Sequence, residues 1–214
     1  MVENGHIPDG KRKALLRVAD DLHHRYEGVF GQETIETLVF DSYRQLAAKA
    51  KITDWLVPFA ERLTKERLEA LVRSEDRSLK RLPAVFFLCT HNAGRSQMAL
   101  GWFTHLGEGR VLAWSGGSEP ETELNKVAVV AMAEVGIDIS GGFPKPWTSE
   151  VLAGSDVVVT MGCGDACPLV PGKHYEDWDV ADPADQPLEV VRPIRDDIER
   201  RVRDLLGRLS VEAR

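Results

Sequence analysis

Three cysteines are the most reactive side chains of this 214-residue chain, and the residues around them suggest specific chemistry. Cys89 begins the segment Cys-Thr-His-Asn-Ala-Gly-Arg-Ser, and Cys163 and Cys167 lie close together in a glycine-containing segment. A thiolate is a strong nucleophile, and paired thiols exchange electrons by forming disulfides. The odd number of cysteines argues against a disulfide scaffold. Reactive thiols, metal ligands and buried cysteines are therefore the interpretations to weigh.

The loop after Cys89 has the composition of an oxyanion cradle. Between a strand and a helix, such a loop points backbone N–H groups inward, and the helix dipole adds positive potential. Gly94 allows close approach of the backbone, and the planar guanidinium of Arg95 can hold two oxygens of a tetrahedral anion. The same field favours the thiolate of Cys89, to which Ser96 can donate a hydrogen bond. The alternative is a buried cysteine beside a surface arginine, because Cys-x5-Arg alone is a common pattern.

Hydrophobic patterning places this loop between a strand and a helix. Ala84 to Leu88 is a continuous apolar run typical of a central parallel strand, and Arg95 to Leu106 has helical spacing. Further strands are predicted near Val111–Ser115, Val157–Met161 and Tyr175–Trp178, and further helices near Leu124–Val135 and Ile194–Leu209. This alternation predicts a doubly wound α/β fold with a four-stranded parallel sheet. Because ligands bind at the carboxyl ends of such strands, Cys89 and Cys163 are expected to face one crevice.

The first 80 residues have a different pattern, which predicts three amphipathic helices with short connections. Apolar residues recur at helical spacing from about residue 10, again after Gly31, and again after Thr53 or Asp54, either of which can cap a helix. Pro58 suits a first helical turn. The polar stretch Ser74 to Arg81 predicts a linker. We therefore predict a small three-helix bundle over residues 1–80 and an α/β domain over residues 81–214.

Composition narrows the classes of function. Hydrophobic residues make up 43% and charged residues 29% of the chain, as in ordinary globular proteins. The net charge is −7, and residues 1–80 show no clear basic face, which argues against nucleic-acid binding. No apolar run approaches the ~18 residues of a membrane span, and the first residues lack the pattern of a secretory leader. We expect a cytoplasmic protein that binds neither nucleic acid nor membrane.

The segment VFFLCTHNAGRSQMA resembles the active-site loop of the low-molecular-weight protein tyrosine phosphatase superfamily, and more closely that of the arsenate reductases built on that fold. The resemblance runs from about Pro83 to Leu209, and residues 1–80 resemble a helical extension found before some actinobacterial members. It implies that Cys89 attacks bound arsenate, for which phosphate or sulfate are mimics, and that Ser96 tunes the thiolate. The implied oxyanion-binding residues are Thr90, His91, Asn92, Ala93, Gly94 and Arg95.

The resemblance also implies a general acid. The superfamily carries an Asp-Pro dipeptide on a late loop, and Asp182-Pro183 matches it. An oxygen leaving arsenic or phosphorus departs more easily when it is protonated, and proline stiffens the loop that carries the acid. Asp179 is the alternative acid, and Asp-Pro by itself is also a common turn signal.

The cysteine pair favours a reductase over a phosphatase. Reduction of arsenate needs two electrons, whereas phosphate-ester hydrolysis needs no further thiol. In the three-cysteine, thioredoxin-coupled arsenate reductases that the chain resembles, a second thiol expels arsenite and forms a disulfide with the nucleophile. A third thiol then releases the nucleophile. The resemblance thus implies a relay from Cys89 to Cys163 to Cys167. No tightly bound cofactor is implied, and a thioredoxin-like protein supplies the electrons.

Several alternatives stay open from the sequence. The best-known three-cysteine enzymes space the second pair more widely, and a related branch uses mycothiol with a mycoredoxin-type donor. Cys163 and Cys167 could bind zinc with His174, although a fourth ligand is not evident, or they could be inert. The potassium-binding branch has a glutamate where Leu100 stands, so no metal site is predicted. A phosphotyrosine phosphatase and an arsenic-responsive binding protein are the rival functions.

Overall fold

The computed structural model describes residues 7–48, 50, 54–75, 82–162 and 170–212. The described chain begins with three helices, α1 (Asp9–Arg25), α2 (Gln32–Ala47) and α3 (Leu56–Glu75). Their apolar faces meet in one core, which includes Leu15, Leu22, Ile35, Val39, Leu63 and Leu68. Pro58 lies in the first turn of α3, where its missing N–H leaves no helical hydrogen bond unmade. The predicted bundle of three helices is therefore present.

Four parallel strands follow, arranged in the order β2-β1-β3-β4. Their bounds are β1 (Ala84–Cys89), β2 (Leu112–Gly117), β3 (Val157–Met161) and β4 (His174–Asp177). Every residue of β1 is buried, which explains its unbroken apolar run. In the strand register, Cys89 pairs with Gly117 on one side and Met161 on the other. The carboxyl ends of three strands therefore meet at Cys89.

Helices cover both faces of the sheet, which confirms the doubly wound α/β fold. The helices α4 (Arg95–Gly107), α5 (Lys126–Ala133) and α7 (Leu188–Glu212) pack on the face that carries Val85 and Phe87. The short helix α6 (Ser149–Gly154) packs on the opposite face, against Phe86 and Leu88. Side chains alternate between the two faces along β1, as the two-residue period of a strand requires.

Helix α3 also belongs to the second layer, because its Ala70 packs in the same cluster as α6. A Cβ atom added to Gly154 of α6 would lie only 2.6 Å from the carbonyl oxygen of Ala70, so the two helices are in close backbone contact. Arg73 of α3 donates to the carbonyl oxygen of Gly154 at 2.8 Å and forms an ion pair with Asp156. The bundle is thus packed against the α/β domain along the length of α3.

The bounds of α4, β2, α5 and β4 differ from the sequence predictions by one or two residues at one or both ends, and two helices differ by more. Helix α6 was not predicted, since six residues are too few to show helical periodicity. Helix α7 begins at Leu188 rather than Ile194 and contains Pro193 near its start. Of the two residues predicted as alternative caps for the third helix, Thr53 lies outside the described residues and Asp54 lies in a turn before α3. The predicted linker began too early, because Ser74 and Glu75 still belong to α3, and its remainder, residues 76–81, lies outside the described residues. No helix within the described ranges combines the length and apolar character needed to cross a membrane.

Candidate active site

Cys89 is the last residue of β1, and its thiol is buried at the start of the loop that leads into α4. The Sγ atom lies 3.0 Å from the hydroxyl oxygen of Ser96 and accepts a hydrogen bond from the backbone N–H of Asn92 at 3.2 Å. The side-chain amide of Asn92 donates to the Ser96 hydroxyl oxygen at 2.8 Å, which leaves the hydroxyl hydrogen available to Cys89. Two donors therefore face the sulfur atom, namely the hydroxyl of Ser96 and the backbone N–H of Asn92.

The carbonyl groups of the loop are fixed from outside by the segment that follows β2. Backbone N–H groups of Glu119, Glu121 and Asn125 donate to the carbonyl oxygens of Thr90, His91 and Ala93, at 2.8, 2.9 and 3.0 Å. In a trans peptide the next N–H points opposite to the carbonyl. The N–H groups after these three carbonyls therefore point towards the cradle, and the one on Asn92 reaches Cys89. The loop thus has N–H groups on its inner side, and the binding of an oxyanion by them stays a prediction.

Arg95 is the first residue of α4, and its guanidinium is buried beside the loop. Its Nη2 atom donates to Oδ2 of Asp182 at 2.6 Å, and Oδ1 of Asp182 accepts from the N–H of Ala184 at 3.0 Å. Pro183 packs on Gly94, where an added Cβ would lie 2.6 Å from the proline ring. The absence of a side chain at Gly94 thus allows the Asp-Pro loop to reach the cradle.

One cavity of about 350 Å³ contains the predicted nucleophile and the predicted acid. Its lining includes Cys89, Ala93, Gly94, Arg95 and Asp182, together with His91 at its edge. Thr90 is placed differently, because its hydroxyl donates to the carbonyl oxygen of Gly162 at 2.9 Å. Asp179 is exposed and does not line this cavity. The structure therefore places Asp182, and not Asp179, beside Arg95 and Cys89.

The mouth of the cavity is acidic. Besides Asp182, its lining includes the carboxylates of Glu121, Glu123 and Asp185. These groups repel a second negative charge on any substituent that a bound oxyanion carries.

Cys163 and Cys167 lie outside the described residues, as do the contacts of the predicted relay. The described chain nevertheless leads to them from the cradle. Met161 pairs with Cys89, and the next residue, Gly162, has a left-handed φ of 70°. A Cβ atom on Gly162 would lie 2.5 Å from Nη1 of Arg95, so the chain passes directly beside that guanidinium. His174, the third member of the predicted zinc alternative, is exposed on β4.

Sequence patterns missed three residues that hold the loop and its acid. Gln97 and Lys145 both contact Asn92, and Asn125 joins the cradle to the Asp-Pro loop through a hydrogen bond from Nδ2 to the carbonyl oxygen of Pro183 at 3.1 Å. Only Asn125 had a detectable signal, because asparagine before an apolar run is a helix N-cap, and it caps α5. Within the described residues, no cluster of three or more histidine, cysteine or carboxylate side chains could hold a metal ion.

The fold and this loop define an α/β protein with a buried cysteine at the start of a loop that leads from the central strand into a helix. Residues 84–214 match the family described as low molecular weight phosphotyrosine protein phosphatase, and residues 15–72 match the protein-tyrosine-phosphatase-like N-terminal domain. Since the first match covers more than half of the chain, the chain belongs to the low molecular weight phosphotyrosine protein phosphatase family.

Its relatives include several arsenate reductases. A solved thioredoxin-dependent arsenate reductase from Corynebacterium glutamicum is 40% identical, with a TM-score of 0.82 over 93% of this chain and 97% of that one. The glutaredoxin arsenate reductase of Synechocystis is 39% identical over 129 residues, which span 59% of this chain and 98% of that protein. An arsenate reductase solved in the phosphate binding state is 36% identical, with a TM-score of 0.53 over 59% of this chain and 98% of that one.

Proposed function

We propose that this protein reduces arsenate to arsenite with electrons from a thioredoxin-like protein. The observation that carries the proposal is the similarity to the Corynebacterium thioredoxin-dependent arsenate reductase, which extends over nearly the whole chain, helical bundle included. The cradle around Cys89 supplies the matching chemistry, since backbone N–H groups and one arginine suit a tetrahedral oxyanion. A relative solved in the phosphate binding state supports phosphate as a mimic of the substrate, and sulfate has similar geometry.

In the first proposed step, the Cys89 thiolate attacks arsenic in the bound anion. The guanidinium of Arg95 turns from Asp182 to the oxygens of the anion, and the loop residues His91 to Gly94 present their N–H groups to the same oxygens. Released from Arg95, the Asp182 carboxylate takes up a proton from solvent and passes it to an As–OH oxygen, which leaves as water. The product is a covalent adduct between Cys89 and arsenic(V), formed without any change of oxidation state.

The second proposed step transfers the electrons. The Cys163 thiolate attacks Sγ of Cys89, so that a disulfide forms and the bond between sulfur and arsenic breaks. The electron pair of that bond stays on arsenic, which leaves as arsenite. Cys167 then attacks Cys163, which regenerates the Cys89 thiolate and leaves a Cys163–Cys167 disulfide. The course of the described chain supports this relay, because Gly162, next to Cys163, lies beside Arg95 and Thr90.

A thioredoxin-like donor fits the last disulfide best, because the relative that matches the whole chain is thioredoxin-dependent. Mycothiol with a mycoredoxin-type protein is the alternative donor, and the Synechocystis relative is named for glutaredoxin. Any of these donors works in a reducing compartment such as the cytoplasm.

The test is arsenate-dependent NADPH oxidation with thioredoxin and thioredoxin reductase. The wild type is compared with Cys89→Ser, Cys163→Ser and Cys167→Ser, and we expect multiple turnovers in the wild type alone. Turnover that survives both Cys163→Ser and Cys167→Ser would exclude the internal relay and indicate an external thiol. Omission of thioredoxin, with mycothiol and mycoredoxin supplied instead, identifies the donor.

Phosphotyrosine hydrolysis is the second candidate, because the family is described by that activity. The carboxylates of Glu121, Glu123 and Asp185 repel a phosphorylated segment that carries further acidic residues, whereas they attract a basic one. Hydrolysis of an aryl phosphate that depends on Cys89, together with no arsenate reduction by any donor, would decide for the phosphatase.

A further inference from the structure

Residues 143–145, which we call the bridging segment, touch both the oxyanion loop and the N-terminal helices. The segment lies between α5 and α6 and consists of Phe143, Pro144 and Lys145. Phe143 is buried in the core of the helical bundle although it belongs to the α/β domain in sequence. The contacts on its two sides link α3 to the loop that faces Cys89.

On the loop side, the bridging segment holds Asn92. The backbone N–H of Lys145 donates to Oδ1 of Asn92 at 3.0 Å. The side-chain amide of Gln97 donates to the carbonyl oxygen of Phe143 at 3.2 Å and to both oxygens of Asn92, at 3.1 Å for the backbone and 3.2 Å for the side chain. Asn92, Gln97 and Lys145 are all buried, so these hydrogen bonds are shielded from competing water.

Asn92 needs such support because its backbone is in the left-handed region, with a φ of 49°. A residue other than glycine keeps this conformation only when its surroundings determine it. The conformation has a direct consequence for the nucleophile, because the N–H of Asn92 donates to Sγ of Cys89 and its side chain donates to Ser96. A shift of Asn92 therefore moves both donors that face the sulfur.

On the helix side, two contacts fix the bridging segment to α3. The rings of Phe59 and Phe143 stack with centroids 4.4 Å apart and planes inclined by 3°. The Lys145 ammonium lies 2.7 Å from a carboxylate oxygen of Glu66, and the two side chains are only 6% and 22% exposed. A buried ammonium group is costly without a counter-charge. Glu66 therefore holds the side chain of Lys145 in place. It thereby also positions the backbone N–H of Lys145, which donates to Oδ1 of Asn92.

We propose that helix α3 sets the conformation of the oxyanion loop through Glu66, Lys145 and Asn92. Glu66 and Lys145 are positioning residues in this arrangement, since neither lines the cavity that contains Cys89. The N-terminal helices are then part of the machinery that prepares the cradle, and not a neutral appendage. The inference rests on the proposed function in one respect only, namely that the cradle binds an oxyanion.

The test compares Glu66→Gln with Glu150→Gln in the full-length, reduced protein. Both changes remove one carboxylate that pairs with a buried cation across the same boundary, because Glu150 of α6 lies 2.7 Å from Nη2 of Arg67 in α3. Neither Glu150 nor Arg67 contacts the oxyanion loop in the described structure. A second variant, Lys145→Arg, keeps the charge and the backbone N–H.

Two readouts report on the cradle without arsenate turnover. The first is the affinity for inorganic phosphate by titration calorimetry. The second is the rate of Cys89 alkylation by iodoacetamide as a function of pH, with Cys163 and Cys167 replaced by serine. We expect Glu66→Gln to weaken phosphate binding about five- to tenfold, as for the loss of one hydrogen-bonding interaction, and to move the alkylation profile to higher pH. Lys145→Arg is expected to stay near the wild type.

Glu150→Gln is expected to lower the thermal midpoint while both cradle readouts stay at the wild-type value. Wild-type phosphate affinity and an unchanged alkylation profile in Glu66→Gln would overturn the inference. So would equal losses in both glutamate variants, because these would reflect general loosening of the boundary. If the wild type binds phosphate but reduces no arsenate, the proposed function fails while the role of α3 still stands or falls on these comparisons.

Discussion

At the scale of single residues, Arg95 and Asp182 form an ion pair in the structure, whereas they have separate roles in the proposed reaction. Their ion pair is 2.6 Å long, and the side chains are 9% and 45% exposed. A buried guanidinium needs a negative partner, which Asp182 supplies here and an oxyanion would supply in the reaction. The exchange of partners then leaves Asp182 close to the bound anion. Once Arg95 has turned to the anion, this carboxylate can take up a proton and act as the acid in the proposed reaction.

Asp182→Asn separates these two tasks. We expect the first-order formation of the arsenic adduct to slow about 10²- to 10⁴-fold, because the leaving oxygen loses its proton donor. Phosphate affinity should be unchanged or higher, since Arg95 no longer has a competing carboxylate. Single-turnover assays and phosphate titration measure the two effects. Asp179→Asn is the matched control and should behave as the wild type; a large loss in that variant instead would transfer the acid role to Asp179.

At the scale of elements, the strand and helix patterns predicted the environment of Cys89 but not its supports. The unbroken apolar run of β1 and the glycine and arginine after it are local signals, and they located the cradle. Nothing in the sequence indicated that Lys145 is buried, because a single lysine between two prolines is typical of a surface loop. Its burial depends on Glu66, which is 79 residues away in sequence. Such long-range pairs follow from packing, which a single sequence does not display.

The packing of α3 on the sheet was also invisible in the sequence. The pattern of α3 shows an apolar face, but the three helices alone were sufficient to explain it. In the structure that face divides between two cores, with Leu63 and Leu68 in the bundle and Ala70 against the sheet. Arg67 and Arg73 of α3 are also buried, and they contact Glu150 and Gly154 of α6. The predicted linker thus separates two parts of the sequence that are in extensive contact.

The ion pair between α3 and α6 makes this contact sensitive to acid. Burial raises the pKa of Glu150, but hydrogen bonds from Arg67, from its own backbone N–H and from Thr148, together with the charge of Arg67, outweigh burial and hold the pKa below the ordinary value of 4.5. A carboxylate with a lowered pKa in the folded state stabilises it fully above the unfolded pKa. This stabilisation is lost as the pH falls from about 4.5 through the folded value.

We therefore expect the effect of Glu150→Gln on stability to depend on pH. At pH 7 the variant should lose about 1–2 kcal/mol, which lowers the thermal midpoint by roughly 2–8 °C. The difference from the wild type should shrink as the pH falls below about 4.5. Thermal unfolding followed by circular dichroism between pH 3 and 7 measures it. Glu61→Gln, in an exposed pair with Lys65, should differ little from the wild type at any pH; an equal effect there would show that the buried pair has no special role.

At the scale of the whole molecule, a chain of net charge −7 holds a cradle for an anion. We expect the local arrangement to outweigh the overall charge, because the loop N–H groups and Arg95 are close to the cavity while most carboxylates lie farther away and are screened by salt. The carboxylates of the cavity lining add a local repulsion against further negative charge.

The molecule should also unfold as one cooperative unit, since α3 contributes to both the bundle core and the sheet core. Leu63 is 1% exposed in the bundle core, and Leu205 of α7 is 1% exposed on the far face of the sheet. Truncation of either to alanine should cost about 2–5 kcal/mol. If the two cores unfold together, each change reduces the hydrogen-exchange protection of α2 and of β1 by the same free energy.

Hydrogen exchange followed by mass spectrometry distinguishes this from two independent units. Under conditions where the wild type is fully folded, Leu63→Ala should speed exchange in peptides from Ala84–Cys89 as much as in peptides from Gln32–Ala47. Leu205→Ala provides the reciprocal comparison, because its effect must cross the same boundary in the other direction. Faster exchange confined to the mutated side in both variants would mean that residues 1–80 unfold separately. If each variant instead speeds exchange on both sides of the boundary, the stability of the helical bundle directly determines the fraction of molecules in which the loop around Cys89 is folded.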